Sequence, residues 1–256
     1  VLLYWLVKFV LLGPLVRVTC RPEVHGLENI PTRGGAVLAS NHLSAADWIF
    51  LPLMVRRRVI FLAKAEYFRG SGVKGWLQRL FFSGTGQVPI DRTSASAAEN
   101  ALSTGTRILS AGSLLGIYPE GTRSPDARLY RGKTGVARMA LESGVPVIPV
   151  AMVHTEKVQP LGKRLPRIHK VEVRIGKPLD FSRYAGLSGD RFVERSITDE
   201  IMYEIMTLSG QEYVDLYGAK VKAAMDATGN TAVEAVAQMR PPARESADRV
   251  PTTLAG

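Results

Sequence analysis

Short, continuous apolar runs alternate along this chain with longer stretches whose apolar residues recur every three or four positions. AVLAS (36–40), VIFLAK (59–64), QVPI (87–90), LLGIY (114–118), VPVIPVA (145–151) and VEVRIG (171–176) have the length and composition of buried or half-buried strands. Between them, ADWIFLPLMV (46–55), SGVKGWLQRLFF (71–82), SASAAENALSTGTRILSAG (94–112) and KTGVARMALESG (133–144) have helical character, and two of them close on Gly. This order predicts an α/β fold: a single domain with a mixed, largely parallel central sheet flanked by helices. From Leu187, the stretch LSGDRFVERSITDEIMYEIMTLSG sets Phe192, Ile197, Ile201, Ile205 and Leu208 at helical spacing, with Asp190 as the N-cap. A second, shorter helix is expected to follow through Tyr217. From residue 227 the chain turns small, polar and proline-containing and reads as a flexible tail, which leaves 21–226 as the domain.

The first eighteen residues, VLLYWLVKFVLLGPLVRV, are apolar, but Lys8 interrupts them and Gly13-Pro14 breaks them. A membrane span needs roughly 20 apolar residues, and this run falls short of it. It also lacks a small-residue cleavage site, which argues against a signal peptide. Trp5, Tyr4 and Lys8 among leucines and valines suit an interfacial helix over residues 1–20, lying at or dipping into one leaflet; a helix packed on the domain is the plainer alternative. The first residue is Val rather than Met, so a longer anchor ahead of it stays open.

Charge narrows the class of partner. The net charge is +10, which points to an anionic partner: nucleic acid, an acidic lipid surface or a phosphorylated substrate. Between Arg56 and Arg92 eight basic residues stand against two acidic ones, interleaved with Phe61, Tyr67, Phe68, Trp76, Phe81 and Phe82. That mixture suits stacking on bases or sitting at a headgroup boundary. The single cysteine, Cys20, excludes an internal disulfide and a cysteine-rich metal cluster.

Several motifs fail on inspection. RGKT (131–134) has Ala127 where a phosphate-binding loop needs its first Gly, GTG (84–86) lacks the third glycine of a dinucleotide fingerprint, and there is no G-x-S-x-G. His25, His154 and His169 stand isolated, with no metal-ligand spacing, so neither a metal nor a cofactor is expected.

NHLSAAD (41–47) and YPEGTRS (118–124) remain. On one continuous helix His42 and Asp47 would point about 140° apart. If His42 sits in the loop after AVLAS and the helix starts near Ser44, Asp47 in its first turn can reach back to one ring nitrogen and leave the other as a proton acceptor. The alternative is ordinary: Ser44 caps a helix, Asp47 faces the positive dipole end, and His42 is a turn residue. Spacing alone favours the latter.

NHLSAAD closely resembles the N-H-x-S-x-x-D signature of the glycerolipid acyltransferase family, whose best-known members are the 1-acylglycerol-3-phosphate acyltransferases. Three more blocks resemble that family's, in its order: VIFLAKAEYF (59–68) with basic Lys64, GQVPIDR (86–92) ending on Arg92, and YPEGTRS. VPVIPV (145–150) is similar to the proline-containing strand that closes its domain. The likeness covers roughly residues 20 to 180. It departs at Pro89, where an aromatic or aliphatic residue is more usual, and at YRGKTG, where two adjacent lysines are common.

The resemblance implies transfer of a fatty acyl group from a thioester to a glycerol hydroxyl, with His42 as general base and Asp47 fixing its tautomer. It puts Arg123, Gly121, Thr122, Lys64 and Arg92 around the acceptor's phosphate, and Glu120 on a glycerol hydroxyl or against Arg123. Expected partners are a lysophospholipid, an acyl thioester of coenzyme A or an acyl carrier protein, and an anionic membrane surface rather than nucleic acid. The expected location is the cytoplasmic face of the cytoplasmic membrane, with peripheral or monotopic attachment. Acylation of glycerol 3-phosphate, another lysophospholipid or a glycolipid uses the same chemistry. A thioesterase or lysophospholipase would aim the His–Asp pair at water, and a non-enzymatic basic module would leave NHLSAAD and YPEGTRS without a role.

Overall fold

The computed structural model describes residues 2–90, 97–163 and 165–239, the Lys64 side chain excepted. In chain order its main elements are α1 (Leu2–Thr19), β1 (Glu23–His25), β2 (Ala36–Ser40), α2 (Asp47–Met54), β3 (Val59–Lys64), α3 (Gly72–Gly84), β4 (Gln87–Ile90), α4 (Ala97–Ser110) and β5 (Leu114–Ile117). Then follow β6 (Leu129–Tyr130), α5 (Gly135–Ser143), β7 (Val147–Val153), α6 (Thr155–Val158), β8 (Glu172–Ile175), α7 (Arg191–Ser209), β9 (Tyr213–Val214), α8 (Gly218–Thr228) and α9 (Ala232–Met239).

Seven strands form one sheet in the order β1-β8-β7-β2-β5-β3-β4. The five from β7 to β4 are parallel, β8 is antiparallel to β7, and β1 runs parallel to β8. β2 lies near the centre, and all five of its residues are buried, as a strand covered on both faces requires. Its side chains alternate: Ala36 and Leu38 join Phe50, Leu51 and Ile148 on one face, while Val37 and Ala39 join Leu102, Met139, Ile197 and Ile201 on the other. Helices α1 and α2 therefore cover one face, and α4, α5 and α7 the other. The expected mixed, largely parallel sheet is the one observed.

The expected helices hold within a few residues of their ends, and residues 94–96 of one lie outside the described set. Asp190 caps α7 by accepting from the Phe192 and Val193 N–H groups, and Gly210, at φ 71°, ends it. Three expectations need correction. The segment through Tyr217 is not a helix: Tyr213 and Val214 pair with Leu129 and Tyr130, and the helix begins at Gly218. The tail expected from residue 227 opens instead with the end of α8 and with α9, whose Ala232, Ala235 and Val236 are buried against Tyr130, Val214 and Val221. Residues 240–256 of that segment lie outside the described set.

Third, Gly13-Pro14 does not break α1. The turn Val7–Leu11 is wound wide, with the Leu12 N–H bonding back to Val7 O, and this local rewinding accommodates a proline that can donate no bond. A Cβ at Gly13 would collide with the Lys8 carbonyl, so Gly is needed there. The resulting 18-residue helix is long and apolar enough to cross a membrane, which the run was expected to be too short to do. Lys8 does not interrupt it either: its ammonium folds onto the protein and donates to the carbonyls of Pro52 and Val55 at the end of α2.

Candidate active site

NHLSAAD and YPEGTRS leave the C-terminal ends of neighbouring strands. Ala39 pairs with Ile117, so the chain segments after β2 and β5 emerge side by side on the sheet edge where α/β folds place their ligands. Two residues past β2, His42 sits in the loop, and α2 starts at Asp47 itself rather than near Ser44. This puts Asp47 at the first helical position with its side chain turned back toward the loop.

The His42 Nδ1 to Asp47 Oδ2 distance is 2.9 Å, and Asp47 is fully buried. The same Oδ2 accepts from the Leu43 and Ser44 N–H groups, each at 2.8 Å. An oxygen committed as acceptor to two backbone donors takes a third proton from Nδ1, which leaves Nε2 with its lone pair. Ser44 does not cap α2 with its side chain. Its hydroxyl accepts from Ala46 N and donates to Gln159 O, pinning the loop to the segment after α6.

Glu120 holds the two motifs together. It is 1% exposed; one oxygen accepts from His42 N (2.9 Å) and the other from Tyr130 N (3.0 Å). Ser124 N completes the clamp by donating to His42 O at 2.7 Å. Both oxygens of Glu120 are thus engaged by backbone rather than by Arg123, one of the two partners expected for it. Burial pushes the Glu120 carboxyl up to about 8, against the pull of the Tyr130 and His42 N–H groups.

Three rings stack through the site. The His42 imidazole lies on Tyr118 at 4.0 Å between centroids and 12° between planes, and Tyr118 stacks on Phe61 at 5.6 Å. The column needs Gly116, where a Cβ would overlap the Phe61 ring. Burial first, and the Asp47 charge second, push the Tyr118 hydroxyl well above its ordinary range, so it stays protonated.

Of the expected anion-binding residues, Thr122 and Arg123 sit half-buried in the turn after β5. Gly121 turns the chain there with φ 70°, and a Cβ on it would meet the Lys133 side chain at 3.0 Å. The backbone of Lys64 ends β3 on the same sheet edge, its side chain lying outside the described set. Arg92 also lies outside the described residues. Two further cations come to the turn without having been singled out for it: Lys133, rejected with the failed phosphate loop, and Lys222 on α8, whose Nζ donates to Thr122 Oγ1 at 3.0 Å. Burial, then the neighbouring Arg123, lowers the Lys222 ammonium, while Glu120 pulls it back up. Lys222 lies almost a hundred residues after the motif it serves, and no local pattern marks it.

The other histidines are not isolated in space. His154 and His169 meet edge to face at 5.8 Å, and His25 lies 3.4 Å from Glu172 on the outer strands. Among the described residues no His, Cys, Asp and Glu group is arranged to hold a metal ion. Beside α2, a narrow groove with a cavity volume of about 20 Å³ runs between α1 and α2, lined by Tyr4, Val7, Lys8, Leu12, Trp48 and Ile49 among others.

The family model described as Acyltransferase matches residues 21–153. The chain is 33% identical over 163 residues to the chloroplast 1-acyl-sn-glycerol-3-phosphate acyltransferase LPAT1 of Arabidopsis thaliana, covering 63% of this chain and 44% of that one. It is 29% identical over 167 residues to the 1-acyl-sn-glycerol-3-phosphate acyltransferase of Bacillus subtilis, covering 64% of this chain and 77% of the relative. A similar chloroplast protein from Brassica napus is 32% identical; the chain spans less than half the length of either chloroplast relative. The crystal structure of the 1-acyl-sn-glycerophosphate acyltransferase PlsC from Thermotoga maritima superposes with a TM-score of 0.57 at 27% identity, over 79% of both chains.

Proposed function

Because the chain belongs to the acyltransferase family, we propose that it moves a fatty acyl group from an acyl thioester to the free hydroxyl of 1-acylglycerol 3-phosphate, giving phosphatidic acid. The observation that carries this reading is the 2.9 Å contact between His42 Nδ1 and a buried, backbone-bonded Asp47 carboxylate. Such a pair leaves Nε2 as a proton acceptor in a loop rather than as a surface turn residue. The acceptor hydroxyl gives its proton to Nε2 as its oxygen attacks the thioester carbonyl carbon. The tetrahedral intermediate then collapses, the C–S bond breaks, and the imidazolium returns the proton to the departing thiolate. Asp47 holds the tautomer and steadies the cation that forms. Since the thiolate is a good leaving group, positioning and base catalysis suffice without an acyl-enzyme.

Arg123 offers a planar fork for the acceptor's phosphate, Thr122 and Lys222 flank it, and Gly121 keeps the backbone low enough for close approach. Lys64 and Arg92 belong to the same proposed cationic pocket. One apolar helix, α1, fits membrane association. We propose attachment at the cytoplasmic face in a peripheral or monotopic manner; for that manner of attachment, though not for the face, support comes from Tyr4, Val7 and Lys8 of α1 being buried on the domain while Leu2, Phe9, Val10, Leu15 and Val18 face outward.

The test is turnover of purified protein with a panel of lyso-acceptors and with coenzyme A or acyl carrier protein thioesters. His42→Ala is expected to lose at least about 10²-fold in kcat. Equal use of a phosphate-free lysolipid would remove the case for the phosphorylated acceptor. Rapid acyl release without any acceptor would replace the transferase by a hydrolase.

A further inference from the structure

The connection between α6 and β8 has the composition of neither a plain surface loop nor a core segment. Residues 159–170 read QPLGKRLPRIHK, in which basic residues alternate with long aliphatic ones. Leu161, Leu165 and Ile168 are 43%, 81% and 75% exposed. Over residues 155–170 the sequence holds five basic residues against a single acidic one, Glu156.

The base of this loop is firmly held. Val158 and Val171, which bracket it, are buried in the same cluster as Cys20 and Phe50, on the sheet face that α1 and α2 cover. The Ser44 hydroxyl donates to Gln159 O at 3.0 Å, Arg167 N donates to Val158 O at 2.7 Å, and Lys170 pairs with Glu23 at 2.6 Å. Since Val153 pairs with Glu172, the loop projects from the sheet edge that also carries His42. Its apolar tips thus point into solvent from a fixed root, which the Ser44–Gln159 hydrogen bond joins directly to the Asp47 loop.

We propose that residues 159–163 and 165–170 form a second membrane contact, separate from α1, that enters the headgroup layer of an anionic bilayer. Leu161, Leu165 and Ile168 insert toward the acyl chains, and Lys163 and Arg167 meet lipid phosphates. Exposed aliphatic side chains gain by leaving water for hydrocarbon, and the interleaved cations are drawn to an anionic surface within a Debye length. An acidic protein would satisfy the cations but would leave Leu165 and Ile168 with nothing to gain, so the lipid surface is the better fit. With α1 on the same side of the sheet, two contacts would seat the mouth of the site against the bilayer. This goes beyond the proposed reaction, and rests on that reading only for the purpose the seating serves.

The test uses the full chain carrying Leu165→Cys labelled with an environment-sensitive fluorophore; the native Cys20 is buried. With vesicles of phosphatidylcholine and phosphatidylglycerol the label is expected to brighten and to be quenched by lipids bearing a nitroxide on the acyl chain. Combined Leu165→Glu and Ile168→Glu changes are expected to reduce partition onto such vesicles by at least about tenfold, with turnover of a water-soluble short-chain acceptor unchanged. The proposal is overturned if the label at 165 stays dark while one at Phe9→Cys on α1 is quenched, which would leave α1 as the lone contact. It is equally overturned if the label responds to an acidic acyl carrier protein and not to vesicles. If labels at both positions stay dark, both membrane contacts fall together, and the turnover assay judges the reaction separately.

Discussion

Glu120 allows the sharpest trial of the site's construction, because the role expected for it and the role observed give opposite results. Its two oxygens accept backbone N–H groups from His42 and Tyr130 in a position that is 1% exposed. In Glu120→Gln one acceptor becomes an NH2 group that faces a donor, so one buried N–H loses its partner, at a cost of about 1–3 kcal/mol. Glu120→Ala strands both donors, and twice that cost, roughly 2–6 kcal/mol, is a large part of an ordinary domain's stability. The Gln variant is therefore the informative one. Urea unfolding should show the loss, and kcat should fall with it because the same bond sets the His42 backbone, while KM for the acceptor changes little. Titration adds a second reading. With the carboxyl raised from 4.5 to about 8 in the fold, the native state keeps a proton that the unfolded chain releases above 4.5. The stability gained by burying the neutral acid is thus complete below 4.5 and is lost as pH rises through 8. The advantage of wild type over Glu120→Gln should narrow between pH 5 and 8. A Gln variant of unchanged stability whose defect lies in acceptor KM would refute the clamp and restore Glu120 as a substrate contact.

Other outcomes follow from the same geometry. Asp47→Asn should lower kcat by about 10²-fold, the scale of general base catalysis, with acceptor KM nearly constant; a defect confined to KM would separate Asp47 from the base. Lys222→Ala should raise KM for a phosphorylated acceptor by about tenfold, the scale of one charge-assisted hydrogen bond, and leave a phosphate-free acceptor untouched in a side-by-side assay. Gly116→Val should destabilise the fold by about 1–3 kcal/mol through overpacking. It should also cost activity beyond what partial unfolding explains, because the Phe61 ring must move; full activity in the folded fraction would detach the ring column from catalysis.

Much of the sheet could be read from the chain because its inner strands are unbroken apolar runs. AVLAS and VPVIPVA declare themselves by having no polar face, and Asp190 declares α7 by its position. β1, β6 and β9 could not be read in this way: three or two residues long, they exist through their pairing partners, as Tyr213 does opposite Leu129. The continuity of α1 through Pro14 was hidden for a similar reason, since only the rewound turn before it shows how the missing donor is accommodated. In the site, the approach of Asp47 to His42 is legible once a loop is allowed before α2. The partners of Glu120 are backbone groups 78 and 10 residues away, and no side-chain pattern announces a backbone donor. Lys222 is invisible for the same cause, being brought to Thr122 by the packing of α8.

The flat seating of the His42 imidazole on Tyr118 places a phenol face beneath the ring that the proposed reaction charges. An imidazole that takes up a proton here becomes a cation with electron-rich phenol beneath its plane and a carboxylate at its rim. The π face adds roughly 0.5–2 kcal/mol of attraction that arises only once the ring is charged. In the proposed reaction Tyr118 thereby acts as an electrostatic cushion under the transient imidazolium, favouring the charged moment over the resting one.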